Sequence, residues 1–251
     1  MIKILKIIAI VVLALVALIV IGRSGDAPSS ADLTNTYPDL AESSSRTEDV
    51  RILCPFLRMM HRAGVVAPEV TNHSDALKTT AWEIAKGAQI LGCGMLECGG
   101  VAAKVSKGQE LNLDAGFPAI DLGQLHKAEG VAHDCGFTFA KGGTTVDQAV
   151  RAKTLADLKT RAGPDGQLKF NDILQSKLKI CKAQGVEISE PGFVEVKLIF
   201  GYLGGVDRGH VFYDDIHRLF HAEMPQNKTE HWIRFKLFKQ MPASTKTASA
   251  Q

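Results

Sequence analysis

The chain has few aromatic residues, few cysteines and almost no net charge. Phe, Trp and Tyr make up 6% of its 251 residues, so the core must be built largely from aliphatic side chains. Five cysteines are too few for a small scaffold that depends on a disulfide framework. A net charge of +2 lacks the basic excess typical of DNA-binding domains, so we expect no nucleic-acid partner. Apolar residues at 45% and charged residues at 22% are typical of a globular protein and exclude general disorder.

An uninterrupted apolar run occupies residues 7–21 and follows Lys3 and Lys6. So long a run without charge is typical of a segment that enters a membrane. Its length fits two alternatives, an uncleaved anchor across residues 4–22 or the core of a signal peptide within residues 1–23. Both alternatives place the rest of the chain outside the cytoplasm, either membrane-anchored or secreted.

The remaining chain divides into three parts by composition. Residues 24–45 are rich in Ser, Asp, Thr and Ala and predict a flexible tether, and residues 242–251 predict a disordered tail. Residues 46–241 predict one domain, and their apolar periodicity is that of helices, so we expect a mainly α fold. The predicted helical windows are 75–105, with Ser74 as its N-cap and either a break or a close helix contact at its glycines, then 121–129, 144–160, 171–184, 193–203 and 212–223.

Cys54 stands immediately before Pro55 at the start of a helical pattern. Proline suits the first helical turn, so Cys54 would lie at the N-cap, facing free backbone N–H groups and the positive end of the helix dipole. This environment lowers the pKa of a thiol, and a thiolate can ligate a soft metal or haem iron or act as a nucleophile. An unreactive buried thiol is the alternative.

Two further stretches contain acid–base candidates. Asp134 follows His133, and such a pair offers a proton carrier beside a charge that can orient it. Glu195 lies in an apolar run, where burial would raise the pKa of its carboxyl and let it exchange protons near neutral pH. A solvated surface position is the alternative for each of these residues.

Taken together and in this order, these stretches resemble the haem-thiolate peroxidases of the chloroperoxidase and unspecific peroxygenase type. The resemblance covers residues 50–225. Its specificity lies in the order and spacing of short motifs. The matching positions are Cys54, Pro55, Leu57 and Gly64 in the proximal motif, Ile120, Asp121, Leu122, His133 and Asp134 in the distal motif, Glu195 and Gly204 in the acid–base helix, and 219–225 in the closing segment.

The resemblance implies a single helical haem-binding domain of the chloroperoxidase type behind the apolar segment. Haem b would be held by the Cys54 thiolate as the axial ligand to iron, within the loop that contains Pro55 and Leu57. Glu195 would be the acid–base residue, hydrogen-bonded to His133, which Asp134 orients. Hydrogen peroxide would oxidise a halide ion or oxygenate a small organic molecule.

Leu203 replaces an aromatic residue of the family pattern, and two further departures bear on function. The glutamate and serine that help to bind a divalent cation in the family are replaced by Ala132 and Gly136, so we expect no manganese or magnesium there. The asparagine–histidine pair of the proximal motif is replaced by Arg62-Ala63. Two alternatives therefore stay open: a haem-binding domain without turnover, and a cofactor-free helical domain tethered to a membrane.

Four cysteines remain beside Cys54, and an exported chain favours disulfides, but their pairing stays open among Cys93, Cys98, Cys135 and Cys181. Cys135, next to the distal motif, is an alternative ligand. A metal-dependent hydrolase built on His126, His133 and Asp134 is a further alternative, although Gly130 would interrupt a helix that aligned the two histidines.

Overall fold

The computed structural model describes residues 26–67, 77–105, 119–233, 239 and 241–242. The chain is mainly helical, as the sequence predicts. The helices, in chain order, are α1 (Ser30–Thr36), α2 (Pro55–Arg62), α3 (Ala81–Ile90), α4 (Met95–Val105), α5 (Gln148–Arg161), α6 (Phe170–Ala183), α7 (Glu190–Tyr202), α8 (Gly205–Arg208) and α9 (Tyr213–Phe220). Helices α5, α6, α7 and α9 fall on predicted windows.

Two small antiparallel strand pairs join distant parts of the chain. Strand β1 (Lys78–Thr80) pairs with β2 (Ala119–Asp121), and β3 (Gln167–Leu168) pairs with β4 (Val211–Phe212). Such short strands have no room for the alternating pattern that reveals a strand in a sequence.

The prediction of one helical window starting at residue 75 is wrong, because β1 occupies its beginning. The N-cap of α3 is Thr80, whose hydroxyl accepts from the Glu83 N–H at 3.2 Å, while the Glu83 carboxylate accepts from the Thr80 N–H at 2.8 Å. This capping box fixes the helix start. Ser74 lies outside the described residues. The predicted break is confirmed, since α3 ends before Gly92, which has a φ of 94°.

The window at residues 121–129 forms a 3-10 helix, Leu122–Lys127, rather than an α-helix. Asp121 belongs to β2, and its carboxylate accepts from the Gly123 N–H at 2.9 Å, which starts the tight turn. Inside this segment Gln124 departs from helical backbone angles.

The prediction that residues 24–45 form a flexible tether is wrong for the described part of that segment. Ser29 and Asp32 form a capping box at the start of α1, so these polar residues begin a helix. Leu33 is 3% exposed and Leu40, in the 3-10 turn Pro38–Leu40, is fully buried. The Leu40 carbonyl accepts from the Met224 N–H at 2.9 Å, which ties this segment to the far end of the domain.

Helix α7 runs through the interior and carries Glu195. Its Val196 and Ile199 are fully buried, and it packs against α6 and α8. Helix α9 packs against α2 and α5. The resulting core is continuous and mostly aliphatic, as the low aromatic content predicts.

The apolar run at residues 7–21 and the tail beyond residue 242 lie outside the described residues. Within the described ranges, no helix is both long enough and apolar enough to cross a membrane.

We expect Leu40→Ala to lower the free energy of unfolding by about 2–5 kcal/mol, because it leaves a cavity in a fully buried position. Chemical denaturation of the full chain measures this change. Val194→Ala is the control, since Val194 is 37% exposed, and it should cost less than about 0.5 kcal/mol. Equal effects of the two substitutions would contradict the packed state of this segment.

Candidate functional site

Cys54 occupies the predicted place at the start of α2. It is the N-cap residue, with extended backbone angles, and Pro55 is the first helical residue. The backbone N–H groups of Phe56 and Leu57 act to lower the pKa of the thiol, although the Cys54 side chain makes no capping hydrogen bond. Cys54 is a free cysteine. The helix start therefore presents one free thiol beside two backbone N–H groups.

The expectation that this position lowers the pKa of the Cys54 thiol is wrong. Burial raises the pKa and outweighs the lowering effect of the Phe56 and Leu57 N–H groups. The negative charge of Glu195 raises it further, and the positive charge of Arg58 opposes this effect. The group is therefore a protonated thiol at neutral pH until something binds it.

Arg58 holds the loop that leads to Cys54. Its side chain is fully buried, and Nη1 donates to the carbonyls of Ile52 and Leu53, both at 2.9 Å. Nη2 donates to the Phe220 carbonyl at 3.1 Å, and Nε lies 3.0 Å from the Glu48 carboxylate. A buried guanidinium needs such a set of acceptors. It thereby fixes the backbone immediately before the thiol.

Arg62, at which the sequence departs from the family pattern, also binds backbone carbonyls from distant parts of the chain. It donates to the carbonyls of Ala41 at 3.0 Å and His221 at 3.2 Å. It therefore joins the amino-terminal segment and the end of α9 to α2. Sequence reasoning missed the role of both arginines; the available signal was their place on a helix whose neighbouring residues are apolar.

Glu195 has two side-chain partners from distant parts of the chain. His133 Nε2 lies 3.1 Å from Glu195 Oε2, which confirms the predicted hydrogen bond. Lys177 Nζ donates to the same oxygen. The Lys177 side chain is fully buried, and its ammonium lies 4.7 Å from the centre of the Phe137 ring. The carboxylate is therefore held by two nitrogen donors.

Sequence reasoning missed Lys177. It lies on the buried face of α6, between Ile173 and Cys181 at helical spacing. A lysine on such an apolar stripe was the signal that could have identified it, because an ammonium there requires a buried partner.

The expectation of a raised pKa for Glu195 is also wrong. Burial does raise the pKa, but the charges and hydrogen bonds of Lys177 and His133 outweigh it and lower the value to about 2. Burial lowers the pKa of Lys177, and the charge of Glu195 opposes that shift. The cluster therefore contains a carboxylate across the neutral and mildly acidic range.

The orientation of His133 comes from the backbone. Its Nδ1 lies 3.1 Å from the Val131 carbonyl, whereas the Asp134 side chain is exposed. Val131, rather than the predicted Asp134, therefore orients the ring. With oxygen acceptors at both nitrogens, the ring donates to both only when it carries two protons.

Position 136, where the family pattern has a serine and this chain has Gly136, has no room for a side chain. A Cβ atom on Gly136 would lie 2.0 Å from the Phe139 ring, and that ring packs 5.3 Å from the His133 ring, centre to centre. Any larger residue at position 136 would displace Phe139 and disturb His133. The expected absence of manganese and magnesium remains a prediction.

The structure assigns two of the open cysteines to one disulfide, Cys135–Cys181, which spans 46 residues. Cys135 as an alternative ligand is therefore wrong in this oxidised state, because its sulfur is already bonded. Cys93 is also disulfide-bonded. The side chain of Cys98 lies outside the described residues.

Cys54 and Glu195 belong to one interior. Phe56, near the start of α2, packs edge-on against Tyr202 of the Glu195 helix with ring centres 5.0 Å apart. The charge of Glu195 also acts on the Cys54 thiol. The structure thus brings His133 and Glu195 into contact, places Cys54 where the charge of Glu195 acts on its thiol, and leaves Asp134 at the surface.

Other kinds of site find less support in the part of the chain that the structure describes. There, no group of three or more His, Cys, Asp or Glu side chains is arranged to hold a metal ion, which includes the hydrolase set of His126, His133 and Asp134. Two grooves lie elsewhere, one beside the end of α6 and one between α6, α7 and α8, and neither is lined by Cys54 or Glu195.

Comparison of the chain with protein-family models found no match, and comparison with curated proteins found no significant relative. The interpretation of the site therefore depends on its own geometry.

We expect Lys177→Met to raise the pKa of Glu195 from about 2 by roughly 1–3 units, because the substitution removes the strongest opposing charge. The carboxyl ¹³C resonance of Glu195, assigned by its loss in Glu195→Gln, reports the titration. Lys179→Met is the matched control, since Lys179 lies on the same helix but is 68% exposed and pairs with Asp157. An unchanged pKa in Lys177→Met would contradict the ion pair.

The lowered pKa of Glu195 also predicts a window of pH-dependent stability. The ionised Glu195 carboxylate contributes fully to the free energy of unfolding above pH 4.5, the ordinary pKa of a glutamate. This contribution is lost as pH falls toward about 2, because between these pH values the carboxyl is protonated in the unfolded chain and ionised in the folded one. The full shift corresponds to roughly 3 kcal/mol. We expect the stability difference between wild type and Glu195→Gln to shrink by about this amount across the window in denaturant titrations. A pH-independent difference would count against the shift.

Proposed function

We propose that the chain is a haem-thiolate peroxidase or peroxygenase with Cys54 as the axial ligand. The observation that carries the proposal is a free thiol at a helix start whose pKa is raised by the charge of Glu195, a part-buried carboxylate in contact with His133. The mainly helical domain and the order of the motifs support the same proposal.

The donor set around Cys54 fits an axial thiolate. The N–H groups of Phe56 and Leu57 and the charge of Arg58 all favour a negative sulfur. Burial keeps the thiol protonated in their presence, so binding to iron would release its proton. Arg58 fixes the two carbonyls before Cys54, which keeps the sulfur in place. The assignment is supported by these donors rather than by a cavity.

When bound, haem b would supply the oxidising chemistry with hydrogen peroxide, and its thiolate ligand would favour cleavage of the O–O bond. Glu195 Oε2 would accept and return the proton in this chemistry. Lys177 Nζ and His133 Nε2 hold that oxygen in position. Since a group exchanges protons best near its own pKa, a value of about 2 favours activity in acid.

The proposed substrates are hydrogen peroxide and a small molecule, either a halide ion or an organic compound that receives oxygen. The proposed location is outside the cytoplasm, secreted or anchored through residues 4–22. Disulfides at Cys93 and between Cys135 and Cys181 support this location, because such bonds persist in oxidising compartments.

A second candidate is a haem-binding domain without turnover. The ion pair between Lys177 and Glu195 favours it, because a strongly stabilised carboxylate is a weak base at neutral pH. Ala132 and Gly136, in place of the cation ligands, favour it as well.

An optical spectrum of the full chain, produced with haem available, tests the proposal. We expect a strongly red-shifted Soret band when the reduced protein binds carbon monoxide. Cys54→Ala should abolish this band, and His133→Ala, which leaves the sulfur ligand intact, should retain it. Oxidation of a dye in the presence of peroxide would then separate the peroxidase from the second candidate.

A colourless full chain, or a haem spectrum that is unchanged in Cys54→Ala, would overturn the haem-thiolate assignment. The cofactor-free, membrane-tethered helical domain would then be the remaining interpretation.

A further inference from the structure

The Cys135–Cys181 disulfide joins the two chain segments that supply the partners of Glu195. Cys135 follows His133 by two residues, and Cys181 follows Lys177 by four residues on α6. Residues four apart on a helix share one face, so Lys177 and Cys181 point to the same side of α6. The bond therefore connects the segment that supplies the histidine to the face that supplies the lysine.

The histidine segment has little other regular support. Residues 132–136 belong to no helix or strand, whereas Lys177 is fixed by the helix around it. Both Cys135 and Cys181 are 1% exposed, so the bond is part of the packed interior. The charged groups that face Glu195 are Lys177 from α6 and His133 from this segment, with the Cys54 thiol on the side of α2.

We propose that Cys135 and Cys181 are positioning residues of the acid–base site, and that cleavage of their disulfide separates His133 and Lys177 from Glu195. The meaning of this inference for catalysis rests on the proposed function, whereas its test needs no haem. Loss of the bond would release the segment that carries His133 from the face of α6 that carries Lys177, which opens that face and weakens both contacts with Glu195.

Cys181 lines a surface groove, although only 1% of the residue is exposed. The groove of about 590 Å³ beside the end of α6 is lined by Leu178, Cys181, Lys182, Gly185, Val186, Glu187 and Ile188. In the reaction a dithiol would give two electrons and two protons to the bonded sulfurs. Cys135 and Cys181 would become thiols, and the dithiol would become a disulfide.

Acylation of lysines in the full chain tests the inference, because three lysines report three environments. Lys177 is buried and paired with Glu195, Lys179 is 68% exposed on the same helix, and Lys228 is 4% exposed at another place in the fold. In the double variant Cys135→Ala/Cys181→Ala, the rate at which an acetyl succinimidyl ester acylates Lys177 should rise at least about 10-fold over wild type. The rate at Lys228 should stay unchanged, because the opening is local to the site.

Two results would overturn the inference. Lys177 could remain as protected as in wild type, which would show that the bond does not hold it. Lys177 and Lys228 could instead react faster together, which would show that the bond stabilises the whole fold and not this site. Mass spectrometry distinguishes these results at each lysine.

A second measurement covers the case in which the double variant does not fold. Wild type and Cys93→Ala are reduced with a phosphine, and the ¹³C titration of the Glu195 carboxyl is followed in both. We expect its pKa to rise from about 2 in both proteins, because the Cys135–Cys181 bond is common to them. An unchanged titration in either protein would overturn the inference. The haem spectrum of the oxidised chain decides the proposed function separately.

Discussion

The site depends on the largely buried Glu195 carboxylate, whose charge is stabilised by two nitrogen donors. Glu195 lies in the interior of α7, and Lys177 on α6 has no exposed surface at all. A buried charge without its partner typically costs about 3–5 kcal/mol, so each of these residues makes the other necessary. Helices α6 and α7 must therefore pack in one register. The same oxygen also fixes His133, which places the loop before α5 relative to both helices.

The opposite side of the site follows the same physical rule with different partners. Arg58 and Arg151 are buried cations, and both lie against the Glu48 carboxylate and the Phe220 carbonyl. The remaining donors of Arg58 go to the loop before Cys54. Buried guanidinium groups thus determine where the thiol lies, and a buried ammonium determines where the carboxylate lies. The carbonyls satisfy donors that burial would otherwise leave unpaired, whereas Arg58 Nε and Glu48 Oε2 meet as an ion pair without a hydrogen bond.

Local chemistry made part of this arrangement predictable. Cys54 before Pro55 predicted a helix start, and the apolar periodicity predicted α6, α7 and α9, because these signals act over one or two turns. The tertiary partners were not predictable in this way. Lys177 lies 18 residues before Glu195 and His133 lies 62 residues before it. The pKa values of Glu195 and Cys54 were predicted in the wrong direction because each depends on folding: Lys177 and His133 come near Glu195, and burial of the Cys54 thiol raises its pKa. Helix α1 was missed because its capping residues, Ser29 and Asp32, are of the polar types that also make up flexible linkers.

The lysine changes what the acid–base group can do. A glutamate in an apolar setting alone would titrate above its ordinary pKa and exchange protons near neutrality. Lys177 reverses this shift, so the Glu195 carboxylate accepts protons weakly except in acid. Its ionisation also raises the pKa of the Cys54 thiol, whose sulfur must lose a proton to bind iron. Turnover at neutral pH would be favoured if Lys177 moved away from Glu195, because the pKa of the carboxyl would then rise. A haem carrier needs no such proton exchange and is compatible with the intact ion pair. The Lys177–Glu195 contact is therefore the feature that separates the two candidate functions.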